Sequence, residues 1–285
     1  MRKAQAVLNE YSKQVGGGAT PYLFTRQEDS AKLAHNADVT DYYEQVVCYM
    51  LPHTMGRKVW LEAVGTPAPW KWNNICPYST PGCRGACLVH SGRLGKDQAK
   101  RAMLARTALY NAHPKLFWEQ VRHEIAVHQK RVEKKGKRLV VRLDGTSQIN
   151  IWETAPEIVE HFEGVIFQDY VKGPYKTEWV APNRYQVASG TERDTEVTIR
   201  GRRNVVFPVD VKKGDPLPKR FLGRRTIDGD KHDLRFIDRQ GDYAVLVRAK
   251  GPKRDTHGFI RDIDKALGCG AKVWIETTSP VKVIH

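Results

Sequence analysis

A mixed α/β fold, either a (βα) barrel-like array or an open parallel sheet, is predicted by three features of the sequence. Short apolar runs end in polar residues at 139–144, 164–170, 185–189 and 204–207, as buried strands with functional carboxyl ends do. Residues 155–162 lie between the first two runs and suit a helix, which makes a β-α-β unit and therefore a parallel pairing. Two longer helices precede them.

Along the chain, residues 4–13 predict a short helix, followed by the hinge Gly16-Gly17-Gly18, an amphipathic piece at 40–50 and a Pro/Trp-rich stretch at 67–72. Residues 1–72 are thus expected to form an irregular N-terminal flanking layer. Ala99, Met103, Arg106 and Leu109 give helical spacing, and Pro114 suits the first turn of a second helix carrying Phe117, Val121 and Ile125. Gly136 is the expected stop. Residues 233–238 and 243–249, joined by Arg239-Gln240-Gly241-Asp242, predict a C-terminal antiparallel β-hairpin. The expected divisions are a flanking layer at 1–72, an α/β catalytic-type domain at 73–260 and a tail at 261–285.

The chain of 285 residues is 40% hydrophobic and 28% charged, and no run approaches the ~18 apolar residues of a membrane helix. No apolar leader follows Met1, so a cytoplasmic protein, in a host cell if phage-encoded, is expected. Lys and Arg number 47 against 32 Asp and Glu, a net charge of +15 that favours polyanions such as DNA or RNA. Residues 88–142 concentrate this charge, with 14 Lys and Arg against 4 Asp and Glu. Arg93, Lys96, Lys100, Arg101, Lys130, Arg131, Lys134 and Lys135 are the expected phosphate contacts, on a basic face beside the cysteine loop. His123 and His128 are expected at the surface.

Three of the five cysteines, Cys76, Cys83 and Cys87, lie in a Pro/Gly-rich loop with the spacing C-x6-C-x3-C. Thiolates are soft ligands, so this loop predicts one metal centre. Three thiolates leave an iron of a four-iron cluster open to S-adenosylmethionine, whereas structural zinc takes a fourth ligand, for which His90, Cys48 and Cys269 are candidates. Asp144 and Asp169 end apolar runs and are the expected catalytic carboxylates, facing one pocket from neighbouring strands. Arg142, Ser147, Tyr170, Lys172 and Lys176 are expected to bind substrate. Asp228, Asp230 and Asp233 suit either a cation or a turn.

The segments Thr80-Pro81-Gly82-Cys83, Ser91-Gly92-Arg93, Arg142-Leu143-Asp144-Gly145-Thr146-Ser147 and Phe167-Gln168-Asp169-Tyr170-Val171-Lys172 resemble a family of tailed-phage proteins named for a mycobacteriophage gene product 88, over about residues 56–260. That family implies no activity. Its cysteine loop is similar to that of a phage family related to radical S-adenosylmethionine enzymes, which implies an open (βα) barrel with the cluster loop after the first strand. The spacing departs from the C-x3-C-x2-C of those enzymes, and no glycine-rich S-adenosylmethionine segment follows.

The expected function is phage-type modification of a nucleic-acid base, through a cysteine-ligated metal or iron-sulfur centre. Two alternatives stand beside it: a base-exchange transglycosylase with structural zinc, in which an aspartate attacks the sugar carbon, and a non-enzymatic zinc-containing nucleic-acid-binding protein.

Overall fold

The computed structural model describes residues 2–18, 22–173, 178–250 and 257–263. Lys176 and Cys269, and all of the expected tail beyond residue 263, lie outside the described residues. The helices are α1 (Arg2–Gln14), α2 (Ala31–Ala34), α3 (Met55–Val64), α4 (Pro81–Gly85), α5 (Asp97–Ala112), α6 (Pro114–Glu133), α7 (Ile151–Thr154) and α8 (Pro156–His161). The strands are β1 (Phe24–Arg26), β2 (Tyr43–Cys48), β3 (Arg138–Arg142), β4 (Ile166–Val171), β5 (Glu178–Ala181), β6 (Arg184–Ser189), β7 (Val205–Val209), β8 (Arg220–Phe221), β9 (Arg224–Asp228) and β10 (Tyr243–Arg248).

All ten strands join one open sheet in the order β1-β2-β3-β4-β6-β7-β10-β9-β8, with β5 pairing β6 from outside this path. From β2 to β9 the neighbours along the order are parallel, and only β1, β5 and β8 pair antiparallel. The open sheet, rather than a closed barrel, is therefore the architecture. β1 and β2 come from the segment expected to flank the sheet, and they are hydrogen-bonded members of it.

Successive side chains on a strand point to opposite faces, and this decides what covers each face. Val141 and Phe167 pack on one side with Leu104, Phe117, Val121 and Ile125 of α5 and α6. Val140 and Ile166 point to the other side, where Leu234 and Phe236 cover them. Each such fully buried side chain contributes about 1.5–3 kcal/mol. The α5–α6 break falls at Pro114, whose missing N–H costs nothing at a first turn. α6 ends at Glu133, just before Gly136 at φ 69°.

The expected C-terminal hairpin does not form. β10 runs parallel to both β7 and β9, and residues 235–237 make a single 3-10 turn. The reason is that residues 233–238 plug the second face of the sheet instead of extending it. Gln168 Oε1 accepts the backbone N–H groups of Arg235 and Phe236, replacing a strand partner. Arg235, fully buried, pairs with Asp238 at 3.2 Å. His128 is also buried, edge-on to Phe24, because α6 turns that face toward β1; the surface position expected for it is corrected. Among the described residues no helix is long and apolar enough to cross a membrane.

Candidate functional site

A crevice of about 490 Å³ opens outside the carboxyl ends of the parallel strands. Ligand sites of open α/β sheets form at this edge, where the strand order breaks. Here the break falls at β7, beside which β10 is inserted ahead of β9. Cys76, Cys83, Cys87 and His90 line one wall, and Arg142, Asp144, Ser147, Tyr170 and Lys172 line the floor.

The cysteine wall is built by local capping. The Thr80 hydroxyl accepts the Cys83 N–H at 3.1 Å and caps α4, whose first residue is Pro81. Glu192, beyond β6, accepts the Thr80 O–H at 2.6 Å and the Gly82 N–H at 3.2 Å, so both ends of the wall are tied to the sheet. Ile75 O accepts the Gln148 N–H at 2.7 Å, and Cys76 Sγ–H donates to Thr146 O at 3.5 Å. These bonds stitch the cysteine loop to the loop that follows β3. Burial pushes the Cys76 thiol up to about 12 and also raises Cys87. Burial by itself would lower the Lys172 ammonium, but a hydrogen bond to Cys83 and the nearby Cys87 and Cys76 sulfurs hold it above its usual value. All three sulfurs thus face one cation.

Asp144, in the loop just after β3, and Asp169, within β4, lie together, but of the two only Asp144 lines the crevice. The Asp144 carboxylate accepts the Ser147 O–H at 2.7 Å, the Ile149 N–H at 2.9 Å and the Asn150 N–H at 3.2 Å. Asp169 accepts the Asp144 backbone N–H at 2.9 Å and sits behind the crevice floor, 3% exposed. Burial, and then the Asp144 charge, push Asp169 well above the carboxylate range. Burial also raises Asp144, against the hydrogen bonds from Ile149, Ser147 and Asn150 that lower it, so the two carboxyls titrate as an interacting pair.

Arg142 and Tyr170 reach the crevice, yet Asp233 holds both: it pairs with Arg142 at 2.9 Å and accepts the Tyr170 O–H at 2.9 Å. The Arg142 guanidinium lies 4.2 Å from the Tyr170 ring centroid. Asp228 and Asp230 pair with Arg248 at 3.1 and 3.3 Å, so this acidic group is neutralised by arginine. Lys172, also of the expected substrate set, lines the crevice.

The expected basic face is divided. Residues 130–135 precede β3 and so sit at the amino edge of the sheet, opposite the cysteine loop at the carboxyl edge. Arg131 pairs with the buried Glu44, as does Lys135 at 2.9 Å. Arg101 donates to Gly16 O at 2.7 Å, and Arg93 and Lys96 are exposed on the turn before α5. Lys100 lies on α5. The adjacency to the cysteines expected for residues 130–135 is therefore corrected: the helix must end at the edge where its following strand begins.

Sequence reasoning passed over His53, Lys58 and Arg84, which also line the crevice. His53 takes a left-handed backbone, φ 55°, and its Nδ1 lies 2.9 Å from Thr54 Oγ1. Burial and the Arg84 charge lower its pKa, which leaves it neutral near pH 7. A lone His-Thr pair carries no spacing signal. Cys48, at the end of β2, is fully buried and does not line the crevice, whereas His90 does.

Three thiols on one crevice match the donor chemistry of zinc or an iron-sulfur centre. Among the described residues, no three His, Cys, Asp or Glu side chains gather closely enough to hold an ion. No curated protein and no solved structure matches the chain. The family described as Gene product 88 matches residues 23–263, further toward the N-terminus than the resemblance carried by the motifs and including β1 and β2. With that match spanning the whole sheet and both walls of the crevice, the chain belongs to the Gene product 88 family.

Proposed function

We propose that the protein modifies a base of DNA or RNA in the carboxyl-edge crevice. The observation that carries this reading is that the cysteine loop and Asp144, distant in sequence, line a single space, with Asp169 hydrogen-bonded to Asp144 behind it. Its 490 Å³ accommodates one extruded nucleotide. Lys172, with Lys58 and Arg84 at the rim, supplies positive charge for the flanking phosphates. Neutral His53 accepts a proton, while Asp169, raised above the usual carboxylate range by burial, lies behind the floor against Asp144.

Cys76, Cys83 and Cys87 would hold the metal centre; three thiolates would leave one iron of a four-iron cluster open to S-adenosylmethionine, and we prefer this reading over zinc. When bound, such a cluster supplies one-electron chemistry at an otherwise unreactive base carbon. Base exchange through an aspartate nucleophile is disfavoured, because Asp144 is tied by three hydrogen bonds and Asp169 does not line the crevice.

The test is iron, sulfide and zinc analysis of anaerobically purified protein, followed by nucleoside mass analysis of DNA and RNA incubated with it. A new nucleoside that disappears with Cys83→Ala and with Asp169→Ala supports the reading. Unchanged nucleosides from protein carrying its full metal complement would overturn it.

A further inference from the structure

A second concave site, also of about 490 Å³, lies at the opposite edge of the sheet, where β9 and β10 begin. Arg200, Arg220, Arg224, Arg225 and Arg239 line it, against two carboxylates, Glu196 and Asp242. Sequence reading missed it because these arginines are spread over forty residues and meet only through the sheet.

The local geometry drives the guanidiniums together. β8 and β9 are joined by Leu222 at φ 47° and Gly223 at φ 75°, the paired positive values of a two-residue hairpin turn. That turn sets Arg220 directly across from Arg225. Like charges directly opposite on antiparallel strands repel, so this pair costs stability until an anion lies between them. Arg225 and Arg239 also stack near one ring, their guanidiniums 5.1 and 5.7 Å from the Tyr243 centroid, which limits their escape into solvent. Arg224, buried, donates to Arg203 O at 2.9 Å and anchors the base of the site. Among the described residues, Arg200, Arg220, Arg225 and Arg239 pair with no carboxylate.

We infer that this pocket binds a phosphate ester presenting at least two neighbouring phosphate groups. Guanidinium forks match phosphate oxygens in pairs, and arginines opposed across a strand pair stand about 5 Å apart at Cβ, a spacing that suits adjacent phosphates. A free nucleoside triphosphate and the backbone of a nucleic-acid strand offer the same chemistry. The inference is independent of the crevice chemistry proposed above.

The experiment uses the full chain at low salt, titrated separately with ATP and with a single-stranded dodecamer, each read by calorimetry and by the shift in melting temperature. Arg225→Gln and Arg239→Gln should each weaken binding by about ten-fold or more, and Arg225→Lys should restore only part of it. Because Arg225→Gln relieves the repulsion, its ligand-free melting temperature should equal or exceed that of the parent, while its ligand-induced shift shrinks. Cys83→Ala should bind as the parent does. Binding of ATP identifies a nucleotide site, and binding of the dodecamer alone identifies a backbone site; both support the inference. Failure of both ligands to bind, affinity unchanged in the arginine variants, or affinity lost in Cys83→Ala would overturn it.

Discussion

The backbone N–H of Asp144 donates to Asp169 Oδ1 at 2.9 Å, which holds two buried carboxyls together where β3 ends beside β4, and burial with the Asp144 charge raises Asp169 well above the usual range. Substitution should treat them differently. Asp169→Asn keeps an oxygen for the Asp144 N–H and removes a charge that burial and Asp144 disfavour, so stability at pH 7 should change little or rise. Asp144→Asn cannot satisfy Ser147, Ile149 and Asn150 together and should cost about 1–3 kcal/mol, read by urea denaturation. The pH dependence follows by linkage. Asp169 has a raised folded pKa, so its contribution is fully present below its unfolded value and is lost as pH rises through the folded one. Asp169→Asn should remove that decline.

His128 carries the opposite sign. Burial, then the Arg131 charge, pushes it down to about 4, against an ordinary 6.5. The unfolded chain takes up the proton first as pH falls, so stability present above pH 6.5 is lost toward pH 4. By pH 5 the loss amounts to about 2 kcal/mol. Its Nδ1 has no hydrogen-bond partner, and its ring meets Phe24 edge-on, so His128→Phe should keep the packing. The urea midpoint of that variant should fall less between pH 7 and pH 5 than that of the parent.

Gly145 follows Asp144 where β3 leaves the sheet beside β2. A Cβ there would stand 2.6 Å from Cys48 O and 2.7 Å from the Val47 and Tyr49 side chains. Because one of those neighbours is backbone, Gly145→Ala must displace β2 or the loop after β3. The expected cost is about 1–3 kcal/mol, with a matching loss in melting temperature. The crevice floor should loosen with it, raising the alkylation rate of Cys76, whose Sγ–H donates to Thr146 O in this loop.

The parts of the fold legible in the sequence were those whose apolar residues are contiguous. Residues 139–144 and 165–169 are buried on both faces and read directly as strands, and Pro114 marks a true helix boundary. β2 was obscured because Glu44 and Gln45 interrupt it; a Glu44 oxygen accepts from Lys135, 91 residues away, and the Gln45 oxygen accepts from Asn36. Residues 233–238 alternate like a strand, but Arg235 is buried and paired, which no periodicity reveals. The cysteine loop was legible from its spacing, and Asp144 and Asp169 from their strand ends. The engagement of Arg142 by Asp233 was not, since 91 residues separate them.

Structural charge and charge free to bind are separable within residues 130–135. Glu44 is 5% exposed, and although burial pushes its carboxyl up, Lys135 and Arg131 hold it below the usual range. Removing both cations leaves a buried carboxylate unpaired, which costs about 3 kcal/mol or more. Arg131→Ala with Lys135→Ala should therefore lower the urea midpoint strongly. Lys130 and Lys134 are exposed, and Lys130→Ala with Lys134→Ala should shift stability by less than about 0.5 kcal/mol. Any salt-dependent nucleic-acid binding by this helix end should consequently be measured in the second pair. Each phosphate that the variant no longer neutralises should flatten the slope of log K against log salt by roughly 0.7–0.9. An unchanged slope in Lys130→Ala/Lys134→Ala, with folding intact, would assign residues 130–135 to stability alone.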